Sequence, residues 1–207
     1  MQKEYYKNKR IIWKSRDKKI QMLIVYFLFV AAGFLTKDRS STWVFWVGIV
    51  FFGAGGLLEL YQLLDPRNLF VSPKSQLGKE IIEDQFKKSL VDPGRFSYTD
   101  SGFVMTDHDQ VTNFEWSDIE TVFGYKLDRY STDEICMDIF ISGKRNFQLT
   151  ESSMGWFVFN EKLAQNIATI PPNWYIKIAY PAFKTNLTLL FDKKGRTQQE
   201  VEAQCYI

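Results

Sequence analysis

Histidine and cysteine are almost missing from this 207-residue chain, which has one histidine, His108, and two cysteines, Cys136 and Cys205. Two cysteines cannot build a disulfide framework or a four-cysteine zinc site. A single histidine excludes multi-histidine metal centres and leaves little for acid–base chemistry near neutrality. Signatures of common chemistry are missing too: there is no Gly-rich phosphate loop, G-x-S-x-G, H-E-x-x-H or C-x-x-C,. Nor is there a large excess of one charge, since 26 Lys/Arg oppose 24 Asp/Glu. The distribution is what is uneven. Residues 1–65 carry a net charge of +5 and residues 66–207 a net of −3, so the larger part is no basic nucleic-acid-binding domain,. Aromatics, by contrast, are plentiful at 16%, including 18 Phe and 6 Trp. The length is enough for one ordinary domain with something to spare.

Two uncharged runs account for part of that excess, IQMLIVYFLFVAAGFL from Ile20 to Leu35 and SSTWVFWVGIVFFGAGGLL from Ser40 to Leu58. At about 1.5 Å per residue each covers most of a roughly 30 Å hydrocarbon layer, and their apolar residues run all the way round, not along one stripe. The spacing predicts two transmembrane helices, at about 20–36 and 41–58, joined by the polar Thr36-Lys37-Asp38-Arg39. Trp43 and Trp46 fall near a headgroup level,. No small-residue cleavage site separates the first run from the second, which argues against a signal peptide. Before the first run stand Lys3, Lys7, Lys9, Arg10, Lys14, Arg16, Lys18 and Lys19 against Glu4 and Asp17. Positive charge stays on the cytoplasmic side, so the expected arrangement is a bacterial inner-membrane hairpin with the N-terminus and residues 66–207 cytoplasmic. The basic segment is expected to be solvated and able to touch anionic headgroups. Glu59 reads as a marker of the membrane boundary.

The expected domains are therefore 1–65, a basic segment plus hairpin, and 66–207, an α+β binding domain. Helical spacing over Ile81–Leu90 puts Ile81, Ile82, Phe86 and Leu90 on one face,. Period-two patterns then predict strands at Arg95–Thr99, Phe103–Asp107, Val111–Glu115, Ile119–Asp128, Glu134–Ser142 and Phe147–Glu151,. Turn signals such as Asp100-Ser101-Gly102 separate them,. Met154–Ile167 returns to helical spacing, with Trp156, Phe159 and Leu163 as its buried stripe and Pro171-Pro172 after it. Short strands in series followed by a helix predict an antiparallel β-rich sheet capped by a C-terminal helix.

A strand pair leading into Trp116-Ser117-Asp118-Ile119 and then a long strand resembles bacterial pleckstrin-homology-like domains, which often follow a two-helix membrane hairpin. A longer resemblance covers roughly residues 103–207. Its blocks are WSDIETVFGYK from Trp116, TDEICMDI from Thr132, LTESSMGW from Leu149, IPPNW from Ile170 and PAFKTNLTLLF from Pro181. In order and spacing they resemble small proteobacterial proteins that include immunity proteins encoded beside polymorphic toxins of the Rhs and type VI secretion kind. The membrane hairpin departs from that pattern. The resemblance implies a protein that binds and neutralises a cognate antibacterial toxin, with no cofactor, metal, nucleic acid or small-molecule substrate.

The residues can be read independently of it. Between Asp100 and Asp138 stand ten acids, opposed only by Lys126 and Arg129. An acidic surface with the aromatics Phe114, Trp116, Tyr125 and Tyr130 embedded in it suits a basic protein partner, the charges steering encounter and the rings anchoring it,. The expected partner-binding residues are Asp107, Asp109, Glu115, Asp118, Glu120, Tyr125, Asp128, Tyr130, Asp133 and Glu134. Asp107-His108-Asp109 reads as a turn, and Cys136 as a buried structural thiol in a strand,. Trp156 with Phe157 and Phe159, and Trp174 with Tyr175, read as core. The alternative function is a membrane-tethered regulatory module engaging a native protein or lipid.

Overall fold

A computed structural model describes residues 5–39, 41–107, 110–129, 132–143, 145–181 and 186–206. The chain divides into two compact units, Met1–Gln85 and Phe86–Ile207.

In the first unit, β1 (Tyr5–Tyr6) and β2 (Lys9–Ile12) form an antiparallel hairpin through Lys7 and Asn8. Both loop residues have positive φ, 47° and 63°, as a two-residue turn matched to strand twist requires,. Ser15 then caps α1 (Arg16–Leu35), its side chain accepting from the Lys18 amide,. A single 3₁₀ turn, Lys37–Arg39, leads towards α2 (Thr42–Leu64). The two helices run antiparallel: Phe34 meets Phe45 near the loop, and Phe29 stacks on Phe52 at 4.5 Å. Tyr26 lies against Gly55 and Gly56 further along. At Gly55 a Cβ would come within 2.7 Å of the Tyr26 ring, so the glycine is what lets that ring close onto the helix,.

Both helices are long and apolar enough to cross a membrane, with only 6% of either apolar window buried. Phe27, Leu35, Trp43, Phe51 and Leu57 are among the large side chains left exposed on them. A soluble hairpin would bury one stripe of each helix, and an apolar surface of this extent is not one that water tolerates.

Beyond α2, β3 (Asn68–Phe70) pairs in parallel with β2, in the register Arg10↔Asn68, Ile11↔Leu69 and Ile12↔Phe70. A small core of Ile11, Val71 and Ile81 forms there, Ile81 coming from α3 (Gln76–Ser89). The first unit consequently extends past residue 65. Part of the basic N-terminal segment is a strand, with Lys9 and Arg10 exposed on it, and Lys19 alone of its described basic residues is buried. The α3 face differs from expectation as well: Gly78 and Ile81 are its buried residues, whereas Ile82, Phe86 and Leu90 are exposed. Gly78 sets that face, because its missing side chain admits the Ser72 carbonyl.

The second unit opens with an antiparallel meander, β4 (Phe96–Tyr98), β5 (Gly102–Asp107) and β6 (Gln110–Glu115). A 3₁₀ turn, Trp116–Asp118, leads into a second meander, β7 (Ile119–Asp128), β8 (Asp133–Ile141) and β9 (Arg145–Thr150). These are the expected strands within a residue or two. Then come α4 (Trp156–Asn166), α5 (Trp174–Ile178), β10 (Thr188–Asp192) and α6 (Gln198–Cys205). β10 adds to the free edge of β7, giving the order β10-β7-β8-β9, all antiparallel. One core joins the two meanders to α4 and α5 through Phe96, Phe103, Val122, Met137, Phe159 and Trp174. Trp156, Phe159 and Leu163 are buried there, and Asn160 accepts from the Trp174 indole N–H at 2.8 Å. A Cβ on Gly124 would approach that indole to 2.4 Å.

Candidate functional site

The expected acidic surface does not form one patch. Strand β7 separates its members: Glu115, Asp118 and Glu120 gather where it begins, Asp128, Asp133 and Glu134 where it turns into β8. Ten strand residues span about 30 Å. Asp107 stands apart again, on the β5–β6 hairpin, with Arg95 at 3.8 Å. Asp109, Tyr130 and His108 lie outside the described residues.

The far end of β7 is occupied by the domain's own cations. Lys126 is almost wholly buried, a strand residue whose face turns inward, and its ammonium needs partners in that setting,. It pairs with Asp133 at 3.0 Å and donates to the carbonyl oxygens of Ala179 and Pro181. Glu134 accepts from Arg129 at 3.0 Å, and hydrogen bonds from Thr150, Ser152 and Arg129 hold its carboxyl below the ordinary range despite partial burial. The only two cations within the acidic stretch are thus spent on two of its acids, and both pairs staple the β7–β8 hairpin.

Tyr125 faces the opposite side of the sheet from Lys126. Its hydroxyl donates to Asp138 at 3.1 Å and that of Tyr206 donates to the same carboxylate at 2.8 Å. Gln148 donates in turn to Tyr125. Burial, reinforced by the Asp138 charge, pushes both phenols above their ordinary range, so they remain donors. This clamp holds the end of the chain on the sheet, where Tyr206 packs on Phe123 and Phe140. Cys136 is buried on the same sheet, and desolvation pushes its thiol up to about 12, leaving almost no thiolate at neutral pH,. Phe114 and Trp116 are core residues and are not presented as anchors.

The near end of β7 is different. A groove of about 500 Å³ runs along the first meander, lined by Thr99, Ser101, Val104, Asn113, Glu115 and Asp118. Glu115 is exposed and accepts from the Ser117 hydroxyl at 3.2 Å, and Asp118 has Arg145 at 4.0 Å. Glu120 sits beside them at a register shift between Ile119 and Thr121, half-buried, its carbonyl accepting from the Lys193 amide. The floor of the groove is made of paired strand residues, since Val104 faces Asn113 and Gly102 faces Glu115. Carboxylates on a rigid strand end beside hydroxyl and amide groups can receive a lysine or arginine side chain from a partner. Among the described residues no group of three or more His, Cys, Asp or Glu side chains could hold a metal ion.

No protein-family model, curated protein or solved structure matches the chain.

Proposed function

We propose that this chain is a membrane-anchored immunity protein that neutralises a cognate antibacterial toxin by stoichiometric occlusion, with no catalytic step. The two-helix hairpin is the anchor. Two three-stranded meanders in series, closed by a helix that plugs the core, support a pleckstrin-homology-like reading of the second unit. The observation that carries the binding function is the groove with Glu115 and Asp118. It leaves Glu115 exposed and holds Asp118 only in a loose 4.0 Å pair with Arg145, whereas Asp133 and Glu134 are committed to the fold. Toxin domains that act on nucleic acids or nucleotide phosphates are basic around their active sites, and an acidic groove presents such a site with a counter-charge in place of its substrate.

The test uses the full chain co-expressed with the toxin domain encoded beside it, in a host that the toxin alone arrests. Wild type restores growth. Glu115→Lys combined with Asp118→Lys abolishes protection and slows association at low salt, while the protein's level and melting stay unchanged. Undiminished protection by that double variant, or failure of wild type to bind the toxin, overturns the reading.

A further inference from the structure

A second cavity lies in the first unit, at the charged end of the hairpin. It encloses about 530 Å³ where α1 begins, and its walls include Trp13, Lys14, Lys18, Met22, Val25 and Ser72. Lys18, Met22 and Val25 are spaced four and three apart on α1 and so share one face. That face changes from an ammonium to a thioether to an isopropyl group as the helix leaves its charged end. Lys14 precedes the helix and borders the same cavity.

The lysines are not equivalent. Lys19, almost fully buried, is neutralised by Glu59 at 2.6 Å and donates to the side-chain oxygen of Gln62 at 2.8 Å. Lys14 and Lys18 are exposed, and among the described residues neither ammonium has a carboxylate partner. A cavity with two exposed ammonium groups on its border and an apolar wall further along the helix has the charge and polarity gradient of a phospholipid, phosphate at one end and acyl chain at the other.

We propose that this cavity is a binding site for one anionic phospholipid, its phosphate between Lys14 and Lys18 and its acyl chain along Met22 and Val25. The inference rests on the membrane anchoring proposed above and is independent of the toxin. A soluble phosphate ester would use the lysines but leave the apolar wall uncovered, which is why the occupant is a lipid.

The experiment is native mass spectrometry of the full chain in a neutral detergent, titrated with phosphatidylglycerol or phosphatidylcholine. One phosphatidylglycerol is retained per chain, about tenfold more tightly than phosphatidylcholine, and Lys14→Gln with Lys18→Gln removes that preference. Lys7→Gln with Lys9→Gln, of equal charge change but outside the cavity, leaves it intact. No preference in wild type, equal loss in both double variants, or displacement of the lipid by glycerol phosphate at matching concentration overturns the proposal. Alkaline carbonate extraction of native membranes separates the two readings: a chain released by carbonate refutes the anchor itself, whereas a retained chain without lipid preference refutes only the site.

Discussion

Asp192 shows what single residues contribute here. It ends β10, and its side chain is almost inaccessible to solvent. The hydrogen bonds of the Arg196 guanidinium, above all, hold its carboxyl at about 2 against an ordinary 3.8, with the Arg196 backbone amide and the Thr121 hydroxyl adding to the effect. Folding lowers this pKa, so the stabilisation is complete above about pH 4 and is lost as pH falls through about 2; the shift corresponds to about 2 kcal/mol. Asp192→Asn should therefore cost about 2 kcal/mol at pH 7, the gap from wild type closing as pH approaches 2. Thermal unfolding of the full chain in detergent, followed by near-ultraviolet circular dichroism, measures it, and a gap independent of pH would refute the linkage. The arrangement was hidden in sequence: Asp192 and Arg196 stand four apart and could be paired on paper, but Thr121 lies 71 residues away. Residue-level readings of apolar groups fared better. Trp156, Phe159, Trp174 and Cys136 are buried as their spacing predicts, and Phe157 and Tyr175 partly so, whereas the same periodicity did not bury Ile82 and Phe86 on α3 or Leu90 just after it,.

Among the elements, the strands of both meanders and α4 were legible because each carries its own period and is closed by its own turn. β2 and β3 were not. Neither KRII nor NLF is long enough to show a period, and β3 becomes a strand only by pairing with β2, 58 residues away across the hairpin. The hairpin likewise concealed the pair of Lys19 and Glu59, 40 residues apart, which reads as a basic flank residue and a boundary marker until the helices are side by side. That pair makes a prediction about how α1 holds α2. Breaking one partner of a buried pair strands the other, at about 3–5 kcal/mol, whereas replacing both with apolar residues of similar size is close to neutral. Glu59→Ala should accordingly destabilise the hairpin by about 3 kcal/mol and Lys19→Met with Glu59→Leu by less than about 1 kcal/mol. Unfolding in mixed micelles, monitored by tryptophan fluorescence, distinguishes these outcomes, and equal losses would show that the pair acts only as a polar boundary.

For the whole molecule, pairing of β2 with β3 fixes more than local structure. One strand precedes α1 and the other follows α2, so their parallel register brings both ends of the hairpin to the same side, with the Lys37–Arg39 turn at the other end. Charge then selects which side that is. Eight Lys/Arg oppose two acids ahead of the apolar run that begins at Ile20, while the turn has Lys37 and Arg39 around Asp38, so the orientation we propose keeps the more basic flank in the cytoplasm. Single cysteines in a Cys205→Ser background test this, the buried thiol of Cys136 being too poorly ionised to react. In spheroplasts, a membrane-impermeant maleimide should label Asp38→Cys directly. It should label Lys194→Cys, at an exposed turn of the second unit, only after the membrane is opened. The opposite pattern would overturn the orientation while leaving the β2–β3 pairing in place. Labelling of both positions in intact spheroplasts would mean that α1 and α2 do not cross the bilayer, and with them the anchored mode of toxin capture would fall.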